Sequence, residues 1–140
     1  MNEYIYDDIK VGQSESFSVE ISEEMQDSFL KITGDVNPMH SDGEYAVSKG
    51  FDGKLVFGML TASFLSTLAG VYLPGKHCLF HEIAGMRFIK PVYIHDRLTI
   101  SGEVTEKNDL FNQITIKVKI RNQNGVLVSS AKVKAGVLNE

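Results

Sequence analysis

Asp35, Asn37 and His40 stand within the run Thr33-Gly34-Asp35-Val36-Asn37-Pro38-Met39-His40, which holds a carboxylate, a carboxamide and an imidazole. An imidazole changes charge near neutral pH, and a carboxylate beside it can share one water with it for proton transfer. The backbone around these groups must bend. Gly34 reaches angles that residues with a Cβ avoid, while Pro38 fixes its own φ and pushes Asn37 toward an extended conformation. A sharp turn here can bring Asp35 and His40 side by side. The same residue types also serve turns and helix ends, where their side chains bond nearby backbone, so this short run is compatible with a plain loop.

The longer run from Thr33 to Ala46, T-G-D-V-N-P-M-H-S-D-G-E-Y-A, is more specific. It resembles the signature of the MaoC-like, R-specific enoyl-CoA hydratases: Gly or an acid, Asp, any residue, Asn-Pro, an apolar residue, His, then Ala six positions on. Asp35, Asn37, Pro38, His40 and Ala46 occupy the fixed places of that pattern. Gly58-Met59-Leu60-Thr61-Ala62-Ser63, Leu73-Pro74-Gly75-Lys76 and Arg87-Phe88-Ile89-Lys90-Pro91-Val92 are similar to the family's middle section, so the likeness spans about residues 7 to 137. It implies a hotdog fold, a homodimer, and reversible syn addition of water to trans-2-enoyl thioesters giving (R)-3-hydroxyacyl thioesters. The substrate would be carried on CoA or acyl-carrier protein, with no cofactor.

Under this resemblance His40 is the base toward a water and Asp35 delivers a proton to C2. Gly58 opens an apolar helix, where free N–H groups and the dipole favour a developing enolate oxygen, so it is the candidate oxyanion hole. Phe57 precedes it where the family usually has His, which keeps the backbone donor and removes a polar neighbour. Asn37 does not titrate and is expected to fix the loop and orient the pair. Ser63, Ser66 and Ala69 are candidate substrate-contacting positions. On a helix Ser66, Ala69 and Leu73 form one stripe, and the small Ala69 would let an acyl tunnel run past four carbons. Lys54, Lys76, Arg87 and Lys90 are candidates for the phosphates of the carrier arm, although scattered lysines are usually only solvated. His77, His81 and His95 carry no motif and read as surface or structural.

Composition narrows the field. The 140 residues suit one domain, 1–140, with a real core. A formal net charge of −4 and the absence of a basic run exclude a nucleic-acid role. The single cysteine, Cys78, cannot pair within the chain, and no Cys/His spacing points to a metal; it reads as a buried or half-buried strand residue. The N-terminal residues lack a signal-peptide core, and no apolar segment reaches membrane-spanning length, so a cytoplasmic protein away from membranes is expected.

The elements that would hold the site follow from periodicity. Ser22-Glu23-Glu24 is a helix start, Met25, Phe29 and Ile32 form its apolar face, and Gly34 ends it. A short helix spans Glu44 to Lys49. The segment Gly58 to Tyr72 has no charge and reads as a helix buried on all sides. Strand alternation then runs through Leu98–Thr105, Ile114–Arg121 and Ala131–Val137, with a turn at Asn122–Gly125 and another strand over about Leu79 to Ile89. This is an α+β layout of antiparallel sheet over one apolar helix; the name hotdog, a curved sheet wrapped around that helix, comes from the resemblance.

Three other readings share these features. A 3-hydroxyacyl-carrier-protein dehydratase runs the same chemistry in reverse. A thioesterase on this fold needs a carboxylate or Asn at the carbonyl, often from the long helix, and Gly58–Tyr72 has no acid. A non-catalytic acyl-binding module would not require both Asp35 and His40.

Overall fold

The inward faces of three long strands build the core. β3 (Arg97–Asn108), β4 (Gln113–Arg121) and β5 (Leu127–Val137) run antiparallel in sequence order. They align apolar side chains in rungs such as Val104–Ile116–Val133 and Ile100–Ile120. These residues are all buried, whereas Glu103, Lys117, Lys119 and Lys132 on the alternate positions are exposed. The period of two thus divides a dry face from a wet one. In this computed structural model, which describes residues 1–139, five strands form one sheet in the order β1-β3-β4-β5-β2, with β2 spanning Cys78–Phe88. Register shifts interrupt three of its pairings at four places, Phe80/Glu82, Ala84/Arg87, Val104/Glu106 and Ile120/Arg121, and such bulges bend a sheet.

The apolar segment lies against that sheet. α4 (Gly58–Thr67) continues into a π-helical turn over Leu68–Tyr72. Gly102 is glycine because of this approach: a Cβ there would stand 2.7 Å from Leu68 Cδ2 and 2.8 Å from Ile116 Cγ2. The helix is not enclosed on every side, as its composition had predicted. Leu60, Thr61, Ala62 and Leu65 are buried, but Met59 is 63% exposed and Ser63 and Ser66 share its open face. One sheet covers one side of a helix, and small serines tolerate the uncovered side without much apolar cost.

The helix boundaries around the candidate site follow the expected capping chemistry. Ser22 accepts a hydrogen bond from Met25 N–H at the start of α1 (Glu23–Thr33), and Gly34 closes it with φ of 70°, the left-handed conformation a C-terminal cap requires. Asn37 caps α2 (Pro38–Ser41), and Asp42 caps α3 (Gly43–Ser48) by accepting from Glu44 and Tyr45 N–H. No helix among the described residues is long and apolar enough to cross a membrane.

Strand β1 (Ser14–Glu20) was not read from the sequence, although Phe17 and Val19 alternate with Ser and Glu there. It pairs with β3, and Phe17 stacks on Tyr72 at 4.9 Å between ring centroids. The N-terminus is clamped nearby. Tyr6 donates to Asp109 Oδ1 at 2.7 Å, and Lys107 Nζ lies over the Tyr6 ring while donating to the carbonyls of Tyr6 and Ile9. Burial first, and then the bond to Asp109, push the Tyr6 phenol up to about 12 from its ordinary 10.0. Between those values the folded chain keeps a proton that the unfolded chain has released, so stability is full below pH 10 and falls as pH rises toward 12. Tyr6→Phe is expected to flatten that alkaline fall in denaturant melts. An unchanged pH slope in the variant would show that the loss originates elsewhere.

Candidate active site

His40 reaches the site because α2 carries it there. Asn37 Oδ1 accepts from Met39 N–H at 2.9 Å and Pro38 occupies the first turn, so a four-residue helix forms where a loop was expected. His40 Nδ1 lies 2.8 Å from the carbonyl oxygen of Leu55. A carbonyl only accepts, so Nδ1 is the donor, and in the neutral ring Nε2 is the nitrogen that carries the lone pair. The ring packs 4.3 Å from Phe57, which itself rests 5.2 Å from Phe29. Phe57, at the position of the family's His, is therefore an apolar shelf that holds the imidazole plane.

Gln26 ties these parts together, and the sequence reading did not single it out. It is 1% exposed, and its Nε2 donates to the carbonyls of His40 (3.0 Å) and Leu55 (2.9 Å) while its Oε1 accepts from Phe57 N–H at 3.3 Å. One carboxamide thus joins α1 to α2, to the Leu55 strand bridge and to the entry of α4. Its only sequence signal was a polar residue on the face shared with Phe29 and Leu30, three and four positions on.

At the start of α4 no side chain caps the helix. The N–H groups of Leu60 and Thr61 return to the Phe57 carbonyl, whereas Gly58 N–H, at the first helical position, has no carbonyl within the helix to reach. Gly58 and His40 line one cavity of about 270 Å³, walled by Leu55, Val56, Phe88 and Val92 and floored by Thr61 and Ser129. A Cβ on Gly58 would meet the Phe88 ring at 3.0 Å, so the glycine lets that ring close down on the helix start.

The remaining candidates divide. Asp35 does not line the cavity; it stands exposed on the loop before α2, where its Oδ1 accepts from Asn37 N–H at 3.1 Å. Asn37 caps α2, which fits the expected loop-fixing task. Ser63 and Ser66 lie on the open face of α4, and Ser63 Oγ is bonded to the Leu60 carbonyl. Ala69 is fully buried in the core, outside the cavity. Ser66, Ala69 and Leu73 do not form the single stripe expected of a regular helix, because the π-helical turn beginning at Leu68 changes the spacing and Leu73 is already extended. Lys54 pairs with Glu23 and Lys76 with Glu3, while Lys90 stands at the cavity wall near its exposed mouth. Cys78 is half-buried and burial raises its thiol, the opposite of what a nucleophile needs. Ala69→Leu is expected to cost about 1–3 kcal/mol through overpacking, seen as a lowered denaturation midpoint. A variant of unchanged stability that rejects only long acyl chains would instead put Ala69 on the acyl path.

An uncapped helix start and a histidine thus line one small, mostly apolar cavity. The model of the MaoC like domain matches residues 8–126. This chain belongs to the MaoC-like domain family. Its MaoC-like relatives include the (R)-specific enoyl-CoA hydratase of Rhodospirillum rubrum, 35% identical over 102 residues, which are 73% of this chain and 70% of that protein. The (R)-specific enoyl-CoA hydratase of Aeromonas caviae is 32% identical over 119 residues, 85% of this chain and 88% of that one. An unliganded R-hydratase from Pseudomonas aeruginosa superposes with a TM-score of 0.90 at 29% identity, covering 97% of this chain and 86% of that one. The hotdog fold expected from the resemblance is the fold observed, with one antiparallel sheet packed against one side of the helix.

Proposed function

We propose that this chain is an R-specific enoyl-CoA hydratase, adding water reversibly to trans-2-enoyl thioesters to give (R)-3-hydroxyacyl thioesters. The observation that carries the reading is the shared cavity. His40 Nε2 is held as a proton acceptor by the Nδ1 bond to Leu55, and the unpaired Gly58 N–H lies at the start of α4 in the same space. A thioester carbonyl at Gly58 would pass charge to its oxygen as water adds at C3, and a preorganised N–H stabilises that charge. In this reading His40 takes the proton of the water, and Asp35, exposed on the loop before α2 and outside the cavity lining, is the acid for C2 only if that loop turns it toward the bound thioester. The helix that runs from Gly58 to Tyr72 carries no carboxylate, which disfavours the thioesterase reading. The test is direct. Purified protein with crotonyl-CoA is expected to bleach the enoyl chromophore and yield the R product; no bleaching, or S product, would refute the assignment.

A homodimer belongs to this proposal. β2 lies at the sheet edge and exposes Leu79, Ile83 and Phe88, with Ile89 just beyond it and Met59 on the open face of α4. An apolar edge strand is a ready surface for a second copy, and closing it would also narrow the mouth beside Phe88. Light scattering is expected to report twice the chain mass; a stable monomer at working concentration would count against it. The unpaired thiol of Cys78 suits a reducing, cytoplasmic compartment.

A further inference from the structure

On the inward face of β5, Ser129 interrupts an otherwise apolar run of Ala131, Val133, Ala135 and Val137. The rung that begins Ile100–Ile120 continues to Ser129 on β5 and Phe88 on β2. Ser129 is 1% exposed, and it lines the cavity that holds His40 and Gly58. Thr61 on α4 faces the same cavity, is also 1% exposed, and its Oγ1 is buried with no hydrogen-bond partner among the described residues. That is unusual for a helical hydroxyl, which normally bonds back to a carbonyl three or four residues earlier. Thr33 does so to Phe29, and Ser63 does so to Leu60 on the same helix as Thr61. For Thr61 the carbonyl four residues back belongs to Phe57, and it already accepts from two N–H groups.

A valine would fill the same volume without a stranded hydroxyl. A Thr61 hydroxyl without a protein partner is free to bond a group that enters the cavity. We infer that Thr61 and Ser129 form a polar floor that selects enoyl thioesters carrying a neutral oxygen on the acyl chain. This inference rests on the hydratase reading and names its substrate class. Thr61 follows Gly58 by three residues, so the two are neighbours on one helix face about 5 Å apart. A thioester whose carbonyl meets Gly58 N–H therefore presents its fourth or fifth carbon to the Thr61 hydroxyl. Hydroxyls both donate and accept, so a chain hydroxyl or ketone satisfies either partner. A carboxylate does not fit, because the only cation in the lining is Lys90, at the exposed mouth and not at the floor.

The experiment compares trans-2-hexenoyl-CoA with 5-oxo-trans-2-hexenoyl-CoA, which are matched in length. The native protein is expected to favour the oxo substrate in kcat/KM by at least about tenfold, since a site with buried polar groups penalises the analogue that leaves them unpaired. Thr61→Val should collapse that ratio, Thr61→Ser should retain it, and Ser129→Ala should reduce it if Thr61→Val fails to fold. Equal turnover of both substrates by the native protein would overturn the inference. So would equal losses for both in Thr61→Val, which would make Thr61 a holder of the water or a structural residue. Should no enoyl-CoA be hydrated, the hydratase reading falls by itself. Calorimetry with hexanoyl-CoA and 5-oxohexanoyl-CoA still decides the floor, by whether the oxo ligand binds more tightly and loses that advantage in Thr61→Val.

Discussion

His40→Ala is expected to lower hydratase kcat/KM by roughly 10²–10⁴-fold, the usual contribution of a positioned general base. His40→Gln should lose nearly as much. Its carboxamide can still donate to the Leu55 carbonyl, but nothing replaces the lone pair of Nε2. Asp35→Asn makes a sharper probe. The amide oxygen of Asn can keep accepting from Asn37 N–H, so the turn into α2 survives and only the charge and the acid function are lost. Activity is expected to fall almost to background with the fold intact by circular dichroism. On the proposed shared proton path, the double variant should be barely worse than either single one. Full turnover in Asp35→Asn would remove Asp35 from the chemistry and leave it as a turn residue, the task its present hydrogen bond performs.

Much of this molecule was legible because its signals are local. Ser22 and Gly34 bracket α1 as their capping chemistry requires, and the period of two across Ile114–Ile120 and Ala131–Val137 marks β4 and β5. The Asp-x-Asn-Pro-x-His run marked the segment that carries His40 to the cavity, although part of it folds as α2. β1 was missed because only Phe17 and Val19 carry its apolar side, too few residues to stand out from a serine-rich stretch. The two faces of α4 were not separable either: Met59 is apolar yet open, while Thr61 is as polar as Ser63 and Ser66 yet buried, so the position of the sheet decides which side is open. Likewise the π-helical turn at Leu68 shifts the register of Ala69, and nothing in its composition announces that.

The parts of the site that escaped the sequence are long-range polar contacts. Thr61 and Ser129 come from α4 and β5 and meet only in the folded chain. Gln26 is the clearest case. A glutamine in an amphipathic helix ordinarily faces water, and its role here depends on three backbone groups, at His40, Leu55 and Phe57, that are far from it in sequence. Such a contact has no spacing rule to find it by. What could have raised suspicion was its place on the apolar side of α1, where a polar residue needs a partner.

Gln26→Leu is expected to destabilise the chain by about 2–5 kcal/mol, because it leaves the carbonyls of His40 and Leu55 and the N–H of Phe57 without their buried partner. Chemical denaturation measures this, and a variant as stable as the native chain would show that the three bonds contribute nothing net. Gln26→Glu separates bonding from shape. One carboxyl oxygen can still accept from Phe57 N–H, but the other now faces two carbonyl oxygens and needs a proton to bond either. Its folded-state pKa must therefore lie above its unfolded value of about 4.3. By linkage the variant is closest to native stability below that unfolded value and loses stability as pH rises through the raised folded value. The native glutamine has no such titration. Activity should follow the same course, since the Leu55 carbonyl that orients His40 Nδ1 is one of the two that Gln26 holds. A Gln26→Glu chain whose stability relative to native does not change between acid and neutral pH would mean that the two carbonyls move away from the carboxylate, and that Gln26 does not set the position of His40.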